Sequence, residues 1–289
     1  MVKKLFYTLF MLALPVFLFA QTVEKETRVF AVKDGIELKM DIYTVPTDCN
    51  LKRPTIVFVF ASGFIRGERD NAFYIDFFHY FAERGFVVIS IDYRLGLTYA
   101  RHSFRNFRNA LRMGVSDLFS ATNFILQYAE EWNIDTEKII ISGSSAGAIT
   151  VLQADYELNS LMPSAAVLPN GFRYAGVISF SGAIFSRNAA WSYVRSPAPT
   201  LFFHGSADRT VVYNHLSFLG IGKFGPRTLT ARFRARGLPF VFYSITGAGH
   251  EIAQSQIAEF LPEIEQFIND FVFNRAQKQI EIRIKNLQR

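Results

Sequence analysis

Short apolar runs at residues 55–60, 86–91, 138–142, 174–180, 200–204 and 240–245 recur along the chain with helix-like stretches between them. This alternation constrains the architecture more than any other feature. Strands joined through helices form a mainly parallel central sheet with helices on both faces. The start reads differently, because two strand-like stretches in residues 27–45 flank Asp34-Gly35, a dipeptide suited to a two-residue hairpin. An antiparallel N-terminal edge is predicted there. A last helix is expected over residues 252–272, where Ile257, Phe260, Leu261, Ile264, Phe267, Ile268 and Phe271 recur toward one side. In the basic tail beyond Asn274, Ile280, Ile282 and Ile284 alternate with Glu281, Arg283 and Lys285, like a short strand or a frayed end. With 289 residues, half of them hydrophobic, and no repeat or low-complexity linker, a single α/β domain is expected.

Residues 1–4 are basic at Lys3 and Lys4, and residues 5–20 carry no charge before the polar run Gln21, Thr22, Val23, Glu24. This reads as a secretory signal peptide over residues 1–20, cut between Ala20 and Gln21, with the domain in residues 21–289. Sixteen uncharged residues interrupted by Pro15 fall short of the roughly 20 that span a bilayer, so no stable membrane insertion is expected after cleavage. Cys49 is the only cysteine, so export, to a bacterial periplasm or the medium, relies on core packing without an internal disulfide. Losing Lys3 and Lys4 lowers the formal charge from +6 to +4, a modest and scattered basicity that calls for no nucleic acid.

Residues 143–147 read Gly-Ser-Ser-Ala-Gly, a G-x-S-x-G pattern that places Ser145 between a predicted strand and a plausible helix. A nucleophile on such a turn needs small neighbours, and the amide of Ala146 is then aimed at a developing oxyanion. The pentapeptide alone leaves two readings open, a nucleophile or a polar residue in a tight turn. A serine hydroxyl also needs a base, and the base needs an acid. Asp208 lies three residues beyond Gly205 after the run at 200–204, and His250 sits in a glycine-rich loop after the run at 240–245. The order Ser145, Asp208, His250, each at the carboxyl end of a strand, makes these three the candidate catalytic residues.

The neighbouring candidates read differently. Ser144 occupies the variable position before the elbow serine, and His204 is the main competitor as base, although His-Gly at a strand end more often supports a turn. His79, His102 and His215 lack a glycine-loop setting. No spacing of His, Cys or carboxylates suggests a metal site, and no cofactor is required. Ala61, Ser62, Gly63 and Phe64, after the first parallel strand, offer the loop for a second oxyanion donor.

On these residues the chain resembles the α/β-hydrolase superfamily, and within it the carboxylesterase and lipase-like serine esterase branch. The likeness runs over about residues 40–271: "LKMDIYTV" is similar to that branch's first strand, "VVISIDYRLG" to its Asp-Tyr-Arg strand end, and "PTLFFHGSADRTVVY" and "GAGHE" to its acid and base loops. "SGFIRGERD" resembles the end of its His-Gly-Gly-Gly-Phe loop, but Phe60, Ala61 and Ser62 stand where that loop has His, Gly and Gly. The loop must therefore be held by something other than a histidine ring. The resemblance implies Ser62 and Gly63 as amide donors beside Ala146, and Asp92 and Arg94 as ion-pairing braces rather than catalytic groups.

Arg101, Arg105, Arg108 and Arg112 fall on one helical face opposite Phe104, Phe107 and Leu111, either as a solvated face or as a cap that greets an acidic substrate. A second basic cluster at Lys223, Arg227, Arg232, Arg234 and Arg236 reads the same way. The 31 phenylalanines are expected mainly in the core. The expectation is a secreted serine hydrolase that cleaves carboxylic esters, small or polysaccharide-borne, through an acyl-enzyme on Ser145. A peptidase of the prolyl-oligopeptidase type and a non-catalytic binding member of the fold stand as alternatives; the chain leaves no room for the gating domain of the former. Oligomeric state is not legible.

Overall fold

The computed structural model describes residues 22–47, 51–98, 103–187, 193–218, 221–254 and 256–285. The expected signal peptide, Cys49, Arg101 and His102 lie outside them. Asp34 and Gly35 both take positive φ, 53° and 76°, and turn β1 (Glu24–Lys33) back on β2 (Ile36–Thr44) as an antiparallel hairpin. The chain then alternates through β3 (Arg53–Val59), α1 (Ala72–Ala82), β4 (Val87–Ile91), α2 (Phe104–Gln127), β5 (Ile134–Ser144), α3 (Ala146–Asn159) and β6 (Gly176–Phe180). A short β7 (Ile184–Arg187) precedes β8 (Thr200–Gly205), and β9 (His215–Phe218) and β10 (Ile221–Phe224) precede α4 (Pro226–Ala235). The chain closes with β11 (Phe240–Thr246), α5 (Leu261–Phe267) and β12 (Gln279–Lys285).

Nine strands form one sheet in the order β1-β2-β4-β3-β5-β6-β8-β11-β12, antiparallel at β1 and β2 and parallel from β4 onward. From β3 the chain steps to one side for β4 and to the other for β5. The sheet thus has a switch point at the carboxyl ends of β3 and β5, where open α/β sheets leave a crevice. Successive residues on one strand face opposite layers. Phe202 meets Phe233 of α4 with ring centroids 6.1 Å apart, while Phe203 stacks on Phe260, before α5, at 4.5 Å. Helices therefore cover both faces, α1 and α5 on one side, where Tyr80 donates to Glu265 at 2.6 Å, and α2, α3 and α4 on the other. Among the described residues no helix is long and apolar enough to cross a membrane.

Two features differ from the sequence reading, and the tail takes the strand alternative of the two that the reading left open. The helix expected over 252–272 is broken into 3-10 turns at His250–Ala253 and Ile257–Phe260, α5, and a π turn at Ile268–Phe273. Pro262 in the first turn of α5 lacks an amide hydrogen, so a helix can begin there but cannot run through it. The apolar face is nonetheless buried, apart from half-buried Leu261. The tail is β12, which pairs in parallel with β11. A second sheet, β7-β10-β9, has no counterpart in the reading, because its strands have four residues each and β9 is fully exposed, which leaves no apolar periodicity to detect.

Asp155, buried in α3, accepts from Asn159 Nδ2 at 2.9 Å and from the Ala198 amide at 3.4 Å, yet burial pushes its carboxyl up to about 7. Between the unfolded value of about 3.9 and that of the fold, the native state holds more protons than the unfolded one, so stability falls as pH rises. Asp155→Asn keeps an acceptor without the charge. Its melting temperature should rise relative to the wild type between pH 5 and pH 8; a constant difference across that range would show that the carboxyl is not protonated in the fold.

Candidate active site

Ser145 follows β5 with φ 51° and ψ −114°, a left-handed backbone that costs a non-glycine residue about 1–3 kcal/mol and persists only where packing enforces it. The enforcement is visible in its neighbours. A Cβ on Gly143 would stand 2.5 Å from the carbonyl carbon of Gly147, and a Cβ on Gly147 would stand 1.9 Å from the carbonyl oxygen of Val59 at the end of β3. Only glycine lets the first turn of α3 approach β3 this closely. The turn thus lies in the crevice between β3 and β5, and the Ser145 amide fastens it sideways to Phe180 O on β6 at 2.9 Å.

The candidate acid and base arrive from two further strand ends. Asp208 follows β8 and His250 follows β11, its hydrogen-bonded neighbour. The two loops are stitched together: Ala207 N donates to Ala248 O at 2.9 Å, Ser206 N to Ile245 O at 2.9 Å, and Gly247 N to Ser206 Oγ at 2.9 Å. His250 Nδ1 stands 2.8 Å from Asp208 Oδ2, and His250 Nε2 stands 2.8 Å from Ser145 Oγ.

Protonation follows from the partners. Burial alone would raise the Asp208 carboxyl, but hydrogen bonds from His204, His250 and the Val211 amide hold it far below the usual carboxylate range. An ionised carboxylate only accepts, so Nδ1 of His250 carries the proton and Nε2 presents its lone pair to the Ser145 hydroxyl. Oδ1 of Asp208 accepts from the amides of Thr210 and Val211 at 2.8 and 2.9 Å. His204 is buried, with Nε2 3.1 Å from Val211 O and 3.4 Å from Asp208 Oδ2. It therefore donates into the acid loop and supports Asp208. Ser144 donates to Ala253 O from a fully buried position, away from His250.

The amide of Ala146, at the first position of α3, has no acceptor among the described residues, and neither have the amides of Ser62 and Gly63. Gly63 is exposed with φ 58°. What replaces the missing histidine ring is a pair of buried tyrosines. Tyr74 Oη accepts from Ala61 N at 3.2 Å, and Tyr93 Oη donates to Phe60 O at 2.9 Å. Since the Tyr93 proton is committed to Phe60, the Ser62 hydroxyl donates to Tyr93, while Ser62 Oγ accepts from Phe64 N at 2.8 Å. Sequence reasoning missed both tyrosines. The apolar run before Asp92-Tyr93-Arg94 gave no sign that Tyr93 would lie under a loop 31 residues earlier. As a positioning residue, Tyr93 should matter to turnover more than to binding: Tyr93→Phe is expected to lower kcat about tenfold, less than loss of an oxyanion donor itself, with KM little changed. An equal rise in KM would mean that the loop shapes binding only.

Asp92 and Arg94 are braces. Asp92 accepts from Arg69 at 3.0 and 3.2 Å, and Arg94 forks across buried Asp117 and reaches Asp34 at 2.6 Å. The basic face does not stand opposite the aromatic one, since Phe104, Arg108, Leu111 and Arg112 line one groove. In the second cluster, Arg227 and Arg234 pair with Glu281 of β12 at 2.7 and 2.9 Å. Among the described residues no three His, Cys, Asp or Glu stand together so as to hold a metal ion.

The family model BD-FAE, of an α/β-hydrolase-type esterase family, matches residues 40–182. No curated protein matches the chain significantly. Among solved structures, the native form of the thermophilic esterase Est2 from the Planctomycetes species Thermogutta terrifontis is similar, with 22% identity over 86% of this chain and 93% of that one and a TM-score of 0.65. Esterase 2 phosphonylated by sarin is 21% identical over 86% of this chain and 95% of that one, with a TM-score of 0.66. The form phosphorylated by paraoxon is 24% identical with the same coverage and a TM-score of 0.64.

Proposed function

We propose that the chain, which has the α/β-hydrolase fold and matches an esterase family model over residues 40–182, is an exported serine esterase with Ser145 as nucleophile, His250 as base and Asp208 as the acid that orients it. The observation that carries the reading is the unbroken relay from Asp208 through His250 to Ser145, two contacts of 2.8 Å each, under a strained elbow.

The reaction follows from the polarity of the relay. As Ser145 Oγ attacks an ester carbonyl, its proton passes to Nε2 of His250, and Asp208 stabilises the resulting imidazolium. The developing oxyanion is held by the amides of Ala146 and of Gly63 and Ser62, preorganised because they have no competing acceptor among the described residues. The imidazolium then protonates the departing alcohol, and water, activated by the same nitrogen, hydrolyses the acyl-enzyme. Deacylation of acetylated or feruloylated polysaccharide suits an exported enzyme by analogy of fold.

A panel of esters from acetyl to palmitoyl, with acetylated xylan, methyl ferulate and a proline-containing peptide amide, tests the substrate class. Covalent labelling by a fluorophosphonate, suggested by the organophosphate adducts of the similar esterase, tests the nucleophile. A protein that neither turns over the panel nor labels is a binding member of the fold. Export is tested by the N-terminus of the protein recovered outside the cytoplasm, which should begin at Gln21.

A further inference from the structure

Lys223 stands on β10, the middle strand of the three-stranded sheet, with its ammonium 4.2 Å from the centroid of the Phe107 ring on α2. It is half-buried, and among the described residues no carboxylate pairs with it. The stretches outside the description hold one acidic side chain, Asp48. An ammonium drawn out of water without a counter-charge is costly to keep, and burial lowers its pKa. The face of one phenylalanine offsets little of that cost.

Lys223 lines a half-open cavity of about 240 Å³ together with Leu97, Ser103, Phe104 and Phe107. That is below the roughly 300 Å³ at which whole-ligand pockets begin, so it suits one substituent of a substrate. Its position ties it to the chemistry. Phe107 meets Phe64 edge-on at 5.7 Å, the Leu97 amide donates to Phe64 O at 2.9 Å, and Phe64 directly follows Gly63 in the oxyanion loop. The amino end of the 24-residue helix α2, capped by Ser103, opens on the same cavity and adds positive potential.

We infer that this cavity receives a carboxylate borne by the ester substrate, paired with Lys223, so that the preferred substrates are acidic esters. The inference rests on the ester-hydrolase reading of Ser145. The sequence reading offered two cationic faces for an acidic substrate, the arginines of α2 and the cluster that holds Lys223, and the inference selects Lys223.

Two matched pairs test it: 4-acetoxybenzoate against 4-acetoxybenzamide, with the charge on the leaving alcohol, and monomethyl glutarate against methyl 4-carbamoylbutanoate, with the charge on the acyl side. In at least one pair the wild type should favour the acid, and Lys223→Met should lower the acid-to-amide ratio of kcat/KM about tenfold, the measure of one charge-assisted contact. Lys223→Arg should keep most of the ratio. Raising NaCl from about 0.05 to 0.5 M should lower the ratio in the wild type and not in Lys223→Met, as screening requires. A ratio that ignores residue 223 and salt overturns the inference and leaves Lys223 as a strut on Phe107. Fluorophosphonate labelling of each variant separates this from misfolding, and Lys223→Gln replaces any variant that fails to label. If the wild type labels and cleaves both members equally, only the acid preference falls; if it neither labels nor cleaves any of the four, the ester-hydrolase reading falls with it.

Discussion

Ser145→Ala should lower kcat/KM for p-nitrophenyl acetate by about 10⁵-fold or more, the loss seen when the nucleophile of a serine relay is removed and only oriented binding remains. The substitution takes away one oxygen atom. The backbone that strains residue 145 is fixed by Gly143, Gly147 and the 2.9 Å bond from its amide to Phe180 O, none of which involves the side chain. Thermal unfolding should therefore shift by no more than the loss of one hydrogen bond, about 1 kcal/mol. Turnover within tenfold of the wild type, in a folded variant, would show that Ser145 does not carry the acyl group.

Asp208→Asn is the second large effect, about 10⁴-fold in kcat. The side-chain oxygen of asparagine can still accept from the amides of Thr210 and Val211, which leaves its NH2 facing His250 and His204. An NH2 donates, so Nδ1 of His250 must accept, and the ring proton moves to Nε2. That nitrogen can then no longer take the proton from Ser145. The same NH2 meets the Nε2 proton of His204, donor against donor, so stability should fall as well. The pH dependence carries a sign. The wild-type carboxyl is depressed in the fold, so its contribution is complete above the unfolded value of about 3.9 and is lost only as pH falls below that toward the folded pKa. The carboxyl's share of the stability gap between wild type and variant should therefore narrow as pH falls below about 4, read by urea unfolding. A gap that widens toward acid would contradict the depressed carboxyl.

Legibility in the sequence tracked how locally each feature is encoded. The glycines around Ser145, Asp208 and His250 mark strand ends, and in a parallel sheet all strand ends of one polarity meet at one rim. Residues 63 and 105 positions away along the chain thus come within hydrogen-bond reach of each other's loops without any pairwise signal between them. The hairpin at Asp34-Gly35 was legible for the same reason, as a turn written in two adjacent residues. What could not be read depends on contacts across the fold. Tyr93 acts on Ser62, His204 on Asp208 and Ser144 on Ala253, and each is a common residue type in an unremarkable local setting. Pro262 was a local signal outweighed by a strong apolar period, and the period did mark the buried face even though the backbone along it is not one helix. The small sheet β7-β10-β9 was invisible because four-residue strands carry too few alternations to register.

The stitching of the acid and base loops has a consequence for endurance. Residues 205–208 and 245–248 grip each other through main-chain atoms, a Cβ on Gly205 would stand 2.3 Å from Ala248 O, and the elbow is pinned to Phe180. Main-chain bonds thus tie the three candidate catalytic residues to one another's strands, so the relay keeps its alignment while the rim beneath it stays intact. Heat should then silence this molecule in the same cooperative event that melts its strands, without an earlier warm state that is folded but idle.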